Sequence, residues 1–214
     1  MGQVAEKTVG RLSLYRRLLA DVTGKGIRNL YSHDLARLAG VTAAQVRRDL
    51  MAVGYQGSPT KGYAVAELTG SISALLDAPV AQGIALVGVG NLGRAVLAYF
   101  AGRHPSLSFV AAFDTDPSKA DRVIHGCRCY PMSELAHVVD REDIRTAVIA
   151  VPAEHAQEAA DQLMAAGVTS ILNFAPTSLR TLPGVYVEHN DLTTLIERVA
   201  FFARARTKTK EFAQ

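Results

Sequence analysis

The chain has few cysteines, no long apolar run and little net charge, and each shortage narrows what it can be. Cys127 and Cys129 are its only cysteines, so there is no disulfide framework and a reducing cytoplasm is the expected setting. On a strand, a CRC pair would place both thiols on one face, and two ligands alone rarely hold a metal. No apolar stretch approaches the roughly 20 residues of a membrane span, and the N-terminus has no signal-peptide core. Hydrophobic residues make up 49% and charged residues 20%, the mixture of a globular protein rather than a disordered one.

What net charge there is falls unevenly. Residues 1–79 carry ten Lys and Arg against six Asp and Glu, or +4; the remainder carries 13 against 14, or −1. A basic first third beside a neutral remainder permits nucleic-acid binding without establishing it. A length of 214 residues accommodates one large domain or two small ones.

In the first third, SLYRRLLADVTGKG (13–26) repeats apolar residues at Leu14, Leu18 and Val22. Leu12, Tyr15 and Leu19 widen this stripe, and Gly24 and Gly26 end the predicted helix. In YSHDLARLAGVTAAQVRRDLMAVGY (31–55), Ser32 is the expected cap of a short helix that reaches Leu38 and breaks at Gly40. Thr42 opens a second helix, with Gln45 placed to complete a capping box. Helix, glycine turn, helix is the helix-turn-helix layout, whose second helix enters the major groove. Val46 and Leu50 would face the core, leaving Thr42, Ala43, Gln45, Arg47 and Arg48 toward the N-terminal half or outer face. Arg and Gln can make bidentate contacts to guanine and adenine edges. The turn-rich YQGSPTKGYAVAEL that follows reads as a hairpin ending in a strand from Tyr63 to Val65, a wing with Lys61 near its tip.

A connecting helix and linker (67–83) lead to an apolar run, Ile84 to Val87, typical of a strand buried on both faces. It feeds GVGNLG (88–93) and then a helix. In a dinucleotide fingerprint the three glycines provide a tight turn, close approach to a pyrophosphate and close helix–strand packing. The helix N-terminus supplies amide donors for the phosphates. The next strand, FVAAFDTD (109–116), ends in Asp114, 21 residues after Gly93, where an acid for the ribose hydroxyls is expected. Asp116 adds a second carboxylate. A 2′-phosphate 4 Å from one such charge meets about 4 kcal/mol of repulsion at an effective dielectric near 20, which favours NAD(H) over NADP(H).

Further strand–helix alternation follows at 146–167, at 169–176 and at a last strand from Gly184 to Val187, giving a parallel sheet with its crevice at the strand C-termini. Val151–Pro152 and Asn173–Ala175 would border that crevice. Nothing remains for a separate substrate domain, and the six histidines (33, 104, 125, 137, 155 and 189) show no base-plus-orienter arrangement. His155, after the VPAE turn, is the nearest to a general acid. Beyond the sheet, Leu192, Leu195, Ile196, Val199, Phe202 and Ala203 form an apolar helical stripe, with Asp191 as N-cap and Arg204, Arg206, Lys208 and Lys210 as a basic tail. That stripe must pack on its own chain or on a partner.

Taken together, VTAAQVRRDL (41–50), GVGNLGRAVLAY (88–99), FDTDP (113–117), VPAEHAQEAAD (151–161), ILNFAPTSL (171–179) and NDL (190–192) resemble the Rex family of bacterial redox-sensing transcriptional repressors over nearly the whole chain. The resemblance implies an α/β chain in three parts: a winged helix-turn-helix DNA-binding domain (1–79), a Rossmann-type doubly wound NAD(H)-binding domain (80–190), and a C-terminal dimerisation helix with its tail (191–214). It implies a homodimer with swapped C-terminal helices that binds an inverted-repeat operator and is released by NADH, whereas NAD⁺ permits repression.

By motif match, Gly88, Gly90, Asn91, Leu92, Gly93, Asp114, Val151, Pro152, Asn173 and Phe174 would hold the dinucleotide. Thr42, Ala43, Gln45, Arg47, Arg48 and Lys61 would meet DNA. Tyr99 would report the nicotinamide state through the partner's counterpart of Asp191, with Leu192 beside it, and Arg17 would link that aspartate to the DNA-binding domain. Three departures stand out. The wing reads SPTKGY instead of an Arg-Gly-Val-Gly-Tyr type sequence, Tyr99 is followed by Phe100 and Ala101 instead of Pro-Gly, and Leu192 stands where many members have an aromatic. The alternative is a small NAD-dependent oxidoreductase with a helical N-terminal extension; a CoA- or nucleotide-binding regulatory module is a third possibility.

Overall fold

Apolar residues in the first 79 positions fall on four helices that share one core. The computed structural model describes residues 4–103 and 106–211, excepting the side chains of 205–211. It divides into two units, Met1–Pro79 and Val80–Gln214. In the first, α1 (Glu6–Gly24) buries Leu12, Tyr15, Leu19 and Val22, one per helical turn. Leu14 and Leu18 are only half-buried, so the stripe is centred on the residues expected to flank it. The reason is tertiary: α1 packs chiefly on α4 (Val65–Leu76), which contributes Leu68 and Ile72.

Between these helices lie β1 (Asn29–Leu30), α2 (Ser32–Ala39), α3 (Ala43–Val53) and β2 (Tyr63–Ala64). The cap of α2 is Tyr31 rather than Ser32, and Asp34 Oδ2 accepts from the Tyr31 N–H at 3.0 Å. Thr42 does cap α3, its Oγ1 accepting from Gln45 N at 3.1 Å. The box stays half made, because the Gln45 side chain turns to Asp49 and Arg48. Val46 and Leu50 are buried as expected. The expected strand ends at Ala64, not Val65, and pairs with β1, which the sequence did not suggest. Val65 starts α4, its N–H donating to Arg28 O at 2.9 Å.

The second unit is built on a seven-stranded sheet. In chain order it comprises β3 (Gln82–Val87), α5 (Asn91–Phe100), β4 (Leu107–Asp114), β5 (Val123–Ile124), β6 (Cys127–Pro131), α6 (Leu135–Arg141), β7 (Thr146–Ile149), α7 (Ala153–Ala165), β8 (Ser170–Asn173), β9 (Tyr186–His189) and α8 (Leu192–Glu211). The sheet order is β5-β6-β4-β3-β7-β8-β9. All pairs are parallel except β5–β6. The order in which strands are added reverses between β3 and β7, which places the crevice at their carboxyl ends.

Alternate residues of β3 serve two cores. Ala85 and Val87 join Val138 and Val139 of α6 and Ala156, Ala160 and Leu163 of α7. Ile84 and Leu86 join Leu97 of α5 with Cys127 and Cys129. The two thiols therefore share one buried face of β6, and burial pushes Cys127 up to about 12. No local pattern in the sequence announces β5, β6 or α6, and the last strand begins at Tyr186, two residues beyond Gly184. Among the described residues no helix is long and apolar enough to cross a membrane.

Leu19→Ala should cost about 2–5 kcal/mol by leaving a cavity among α1, α2 and α4. It should lower the urea midpoint of the first unit's unfolding, whereas Leu38→Ala, at a half-exposed position, should change it by under about 0.5 kcal/mol.

Candidate dinucleotide crevice and recognition helix

The crevice begins where β3 ends. Gly88 has φ +95°, and a Cβ there would lie 2.6 Å from Ala150 O. A Cβ on Gly93 would run into the Gly88 carbonyl oxygen, so only glycine lets α5 sit this close to the strand end. Around Gly90, by contrast, a Cβ would meet nothing within 4 Å. The open side of the loop is thus the side a phosphate can approach, facing the α5 N-terminus, where Asn91 and Leu92 form the first turn.

Asp114, at the end of β4, stands beside this loop. Its Oδ2 accepts from Val89 N at 2.8 Å and from Lys119 Nζ at 3.0 Å, and its Oδ1 accepts from Asp116 N at 2.9 Å. Burial pushes this carboxyl up, but the Asp116 amide, the Lys119 ammonium and the Val89 amide outweigh it, and the acid lies below the usual carboxylate range. Lys119 also lies 3.7 Å from Asp116 Oδ2. It therefore offsets part of the repulsion that two carboxylates would exert on a 2′-phosphate. Lys119 was not singled out in the sequence, although a cation five residues after the acid is the available signal.

A cavity of about 410 Å³ opens between these groups, lined among others by Gly88, Gly90, Asp114, Lys119, Val151 and Pro152. Met132, and His155, Glu158 and Gln162 along one face of α7, close its other wall. His155 is an exposed residue at this rim; His104 lies outside the described residues. Asn173 and Phe174 do not line the cavity. Asn173 is fully buried and serves its own loop, its amide donating to Ala175 O and Thr177 O and its Oδ1 accepting from Ala175 N at 3.0 Å. Phe174 packs with the core on the α5 side of the sheet. Tyr99 is 60% exposed, with the Arg103 guanidinium 5.0 Å over its ring.

On the first unit, Thr42, Arg47 and Arg48 are exposed on α3, and Ala43 is half-buried. Arg47 Nη1 donates to Ser32 Oγ at 3.1 Å, joining α3 to the start of α2. Gln45 has both ends of its amide engaged. Lys61 sits exposed in a closed turn, in which Ser58 and Gly62 exchange two backbone hydrogen bonds of 2.8 Å. Tyr31 Oη donates to Thr60 O at 2.7 Å and moors this turn to α2. Gly62, at φ +72°, lies so near Leu30 O that a Cβ would come within 2.5 Å. The unusual SPTKGY wing is therefore short and tightly held. Arg17 is exposed on α1.

At the other end, Asp191 caps α8. Its Oδ1 accepts from Thr193 N at 2.9 Å and its Oδ2 from the Thr194 hydroxyl at 2.6 Å. The Thr194 hydrogen bond is the main reason its carboxyl lies below the usual range. Leu192, Ile196, Val199, Phe201 and Phe202 are 47–71% exposed along α8. Arg204 is exposed, and the side chains of Arg206, Lys208 and Lys210 lie outside the described residues.

Comparison with known proteins places this geometry. Residues 3–50 match a family described as a putative DNA-binding protein N-terminus, and residues 81–177 one described as a CoA binding domain. The chain is 39% identical over 202 residues to the redox-sensing transcriptional repressor Rex of Carboxydothermus hydrogenoformans, covering 94% of this chain and 97% of that one. The chain belongs to the Rex family. The corresponding repressor of Latilactobacillus sakei is 36% identical over 197 residues, 92% of this chain and 95% of the other. Among solved structures, the Rex-family repressor RSP in complex with β-NAD⁺ and operator DNA superposes with a TM-score of 0.88 at 26% identity, covering 99% of this chain and 98% of that one. RSP in complex with β-NADH gives 0.86 at 25% identity, covering 99% and 100%. Family membership agrees with the winged-helix and Rossmann reading of the fold. These relatives are named as transcriptional repressors, and the match described as a CoA binding domain lies within the second unit.

Asp114→Asn puts an amide donor against the Val89 N–H or the Lys119 ammonium and should cost about 1–3 kcal/mol at neutral pH. Because the folded acid is held below its unfolded value near 3.9, its contribution is fully present above about pH 4 and is lost as pH falls further. The gap in urea midpoint between the two proteins should stay constant from pH 7 to about 5 and shrink below 4.

Proposed function

We propose that the chain is a homodimeric repressor that holds an inverted-repeat operator through its two α3 helices and lets go when NADH fills the crevice. The observation that carries this reading is the pairing, within one chain, of an exposed Arg47–Arg48 recognition helix with a glycine loop that leaves space only at Gly90. The complexes of RSP with β-NAD⁺ and operator DNA and with β-NADH support the choice of ligands. The dinucleotide is bound as a signal and not turned over. Gly88, Gly90, Asn91, Leu92, Gly93, Asp114, Val151 and Pro152 hold it; Asn173 and Phe174 shape the loop next to it.

NADH and NAD⁺ differ in the charge and planarity of one ring, so differential contacts at that ring must shift the balance between states. Moving an equilibrium from 99:1 to 1:99 needs about 5.5 kcal/mol of such difference. Tyr99, largely exposed beside Arg103, is the residue that meets that ring. In this reading the partner's copy of the α8 cap, Asp191, receives the Tyr99 hydroxyl and relays the state to Arg17. The exposed stripe of α8 supplies the contact with that partner, as a swapped helix. Leu192, next to the cap, gives the nicotinamide an aliphatic neighbour in place of an aromatic one.

A gel-shift titration on a library of inverted repeats tests the main claim. Retention without ligand and release at saturating NADH are expected; retention indifferent to NADH would refute sensing. Gly90→Ala should fold normally, since its methyl meets no neighbour, yet bind NADH at least about tenfold more weakly, a loss of about 1.4 kcal/mol. The Gly90→Ala operator complex should resist NADH at concentrations that release the unmodified chain. Turnover of a hydroxy or aldehyde substrate with NAD⁺ would favour the oxidoreductase instead.

A further inference from the structure

Asp49 is 1% exposed, a carboxylate buried beneath the recognition helix. A charge so placed survives only if it is fully paired and hydrogen-bonded. Three residues of α1 supply most of the pairing. Arg11 donates through Nε to Oδ2 at 2.6 Å and through Nη2 to Oδ1 at 2.7 Å. The Tyr15 hydroxyl donates to Oδ2 at 2.9 Å, and Thr8 Oγ1 lies 3.5 Å from Oδ1 while accepting from Arg11 Nη2 at 3.2 Å. Thr8, Arg11 and Tyr15 recur at helical spacing, so one face of α1 converges on one carboxylate. Burial pushes the Asp49 carboxyl up, but the hydrogen bonds from Arg11, Gln45 and Tyr15 hold it below the usual range. Burial and the Asp49 hydrogen bond raise the Tyr15 phenol, so it remains a donor.

The remaining donor comes from α3 itself. Gln45 Nε2 reaches Asp49 Oδ1 at 2.9 Å, one turn away, and Gln45 Oε1 accepts from Arg48 Nη2 at 2.8 Å. The amide is therefore used at both ends, and an unbroken line of hydrogen bonds runs from α1 through Asp49 and Gln45 to an exposed guanidinium. Turning Gln45 outward to read an adenine edge would take a donor from a buried carboxylate and an acceptor from Arg48, two losses for one new contact.

We infer that Gln45 is a positioning residue and not a base reader: with Asp49 it fixes the Arg48 guanidinium on the recognition helix and ties its orientation to α1. The inference rests on the repressor reading above. A guanidinium held in one orientation has less freedom to lose when it forms a bidentate contact, so the effect appears as both affinity and base preference.

The test is a double-mutant cycle on operator DNA with Gln45→Met, which keeps the length of the side chain and removes both hydrogen bonds, and Arg48→Ala. Gln45→Met should weaken retention about tenfold, the cost of a hydrogen bond to a charged group, and relax preference at the same base pair that Arg48→Ala relaxes. In the Arg48→Ala background it should have no further effect. Thermal unfolding measured in parallel separates lost stability from altered base preference, since instability alone shifts no single position. The inference is overturned if Gln45→Met keeps its full effect without Arg48, relaxes a different base pair, or leaves affinity unchanged. Failure of the unmodified chain to retain any inverted repeat would overturn the repressor reading and this inference with it.

Discussion

The close approach of α5 to the turn after β3 is the constraint that organises the second unit. Without side chains at Gly88 and Gly93, the first turn of the helix settles against the strand end. The same turn brings Val89 N within hydrogen-bond range of Asp114, so the helix start, the acid and the loop after β7 form one rim. Any Cβ on Gly93 would push the helix away, and Asp114 would lose the Val89 backbone donor that holds it. Helix packing and the hydrogen bond to Asp114 are in this sense a single requirement on two residues.

Much of this was legible in the chain. Glycine spacing, the apolar run before it and an acid 21 residues after Gly93 are local signals whose physical meaning does not depend on distant partners. The helix-turn-helix was legible for the same reason: Thr42, Gly40 and the spacing of Val46 and Leu50 are set by short-range geometry. What escaped was non-local. Strand β1 is two residues long and exists only because Tyr63 and Ala64 return to pair with it. The Cys127–Pro131 strand carries an exposed arginine between buried thiols and has no run of apolar residues to announce it. The centre of the α1 stripe moved because α4 decides which side of α1 is covered.

The site shows the same division. The pocket walls at Val151 and Pro152 were readable as the turn after a buried strand, whereas Asn173 looks like a crevice residue and is instead the brace of its own loop. Little in the nearby sequence marks Lys119 and Asp49, because charged residues are ordinarily surface features, and only the fold shows that one pairs with Asp114 and the other is sealed beneath α3. Buried charge of this sort is specified by partners 38 and 34 positions away in sequence, Arg11 and Tyr15.

Helix α8 has a consequence beyond binding. Its twenty residues leave their apolar stripe exposed along one chain, so it lacks the packing of an apolar face from which most helical stability in proteins comes. If α8 is the dimer contact proposed above, its secondary structure and its association are one equilibrium, and the helical content of the protein becomes a function of how much protein is present. On that reading, dilution would unwind the very segment that Asp191 caps, and the amount of repressor would set how much of it is complete.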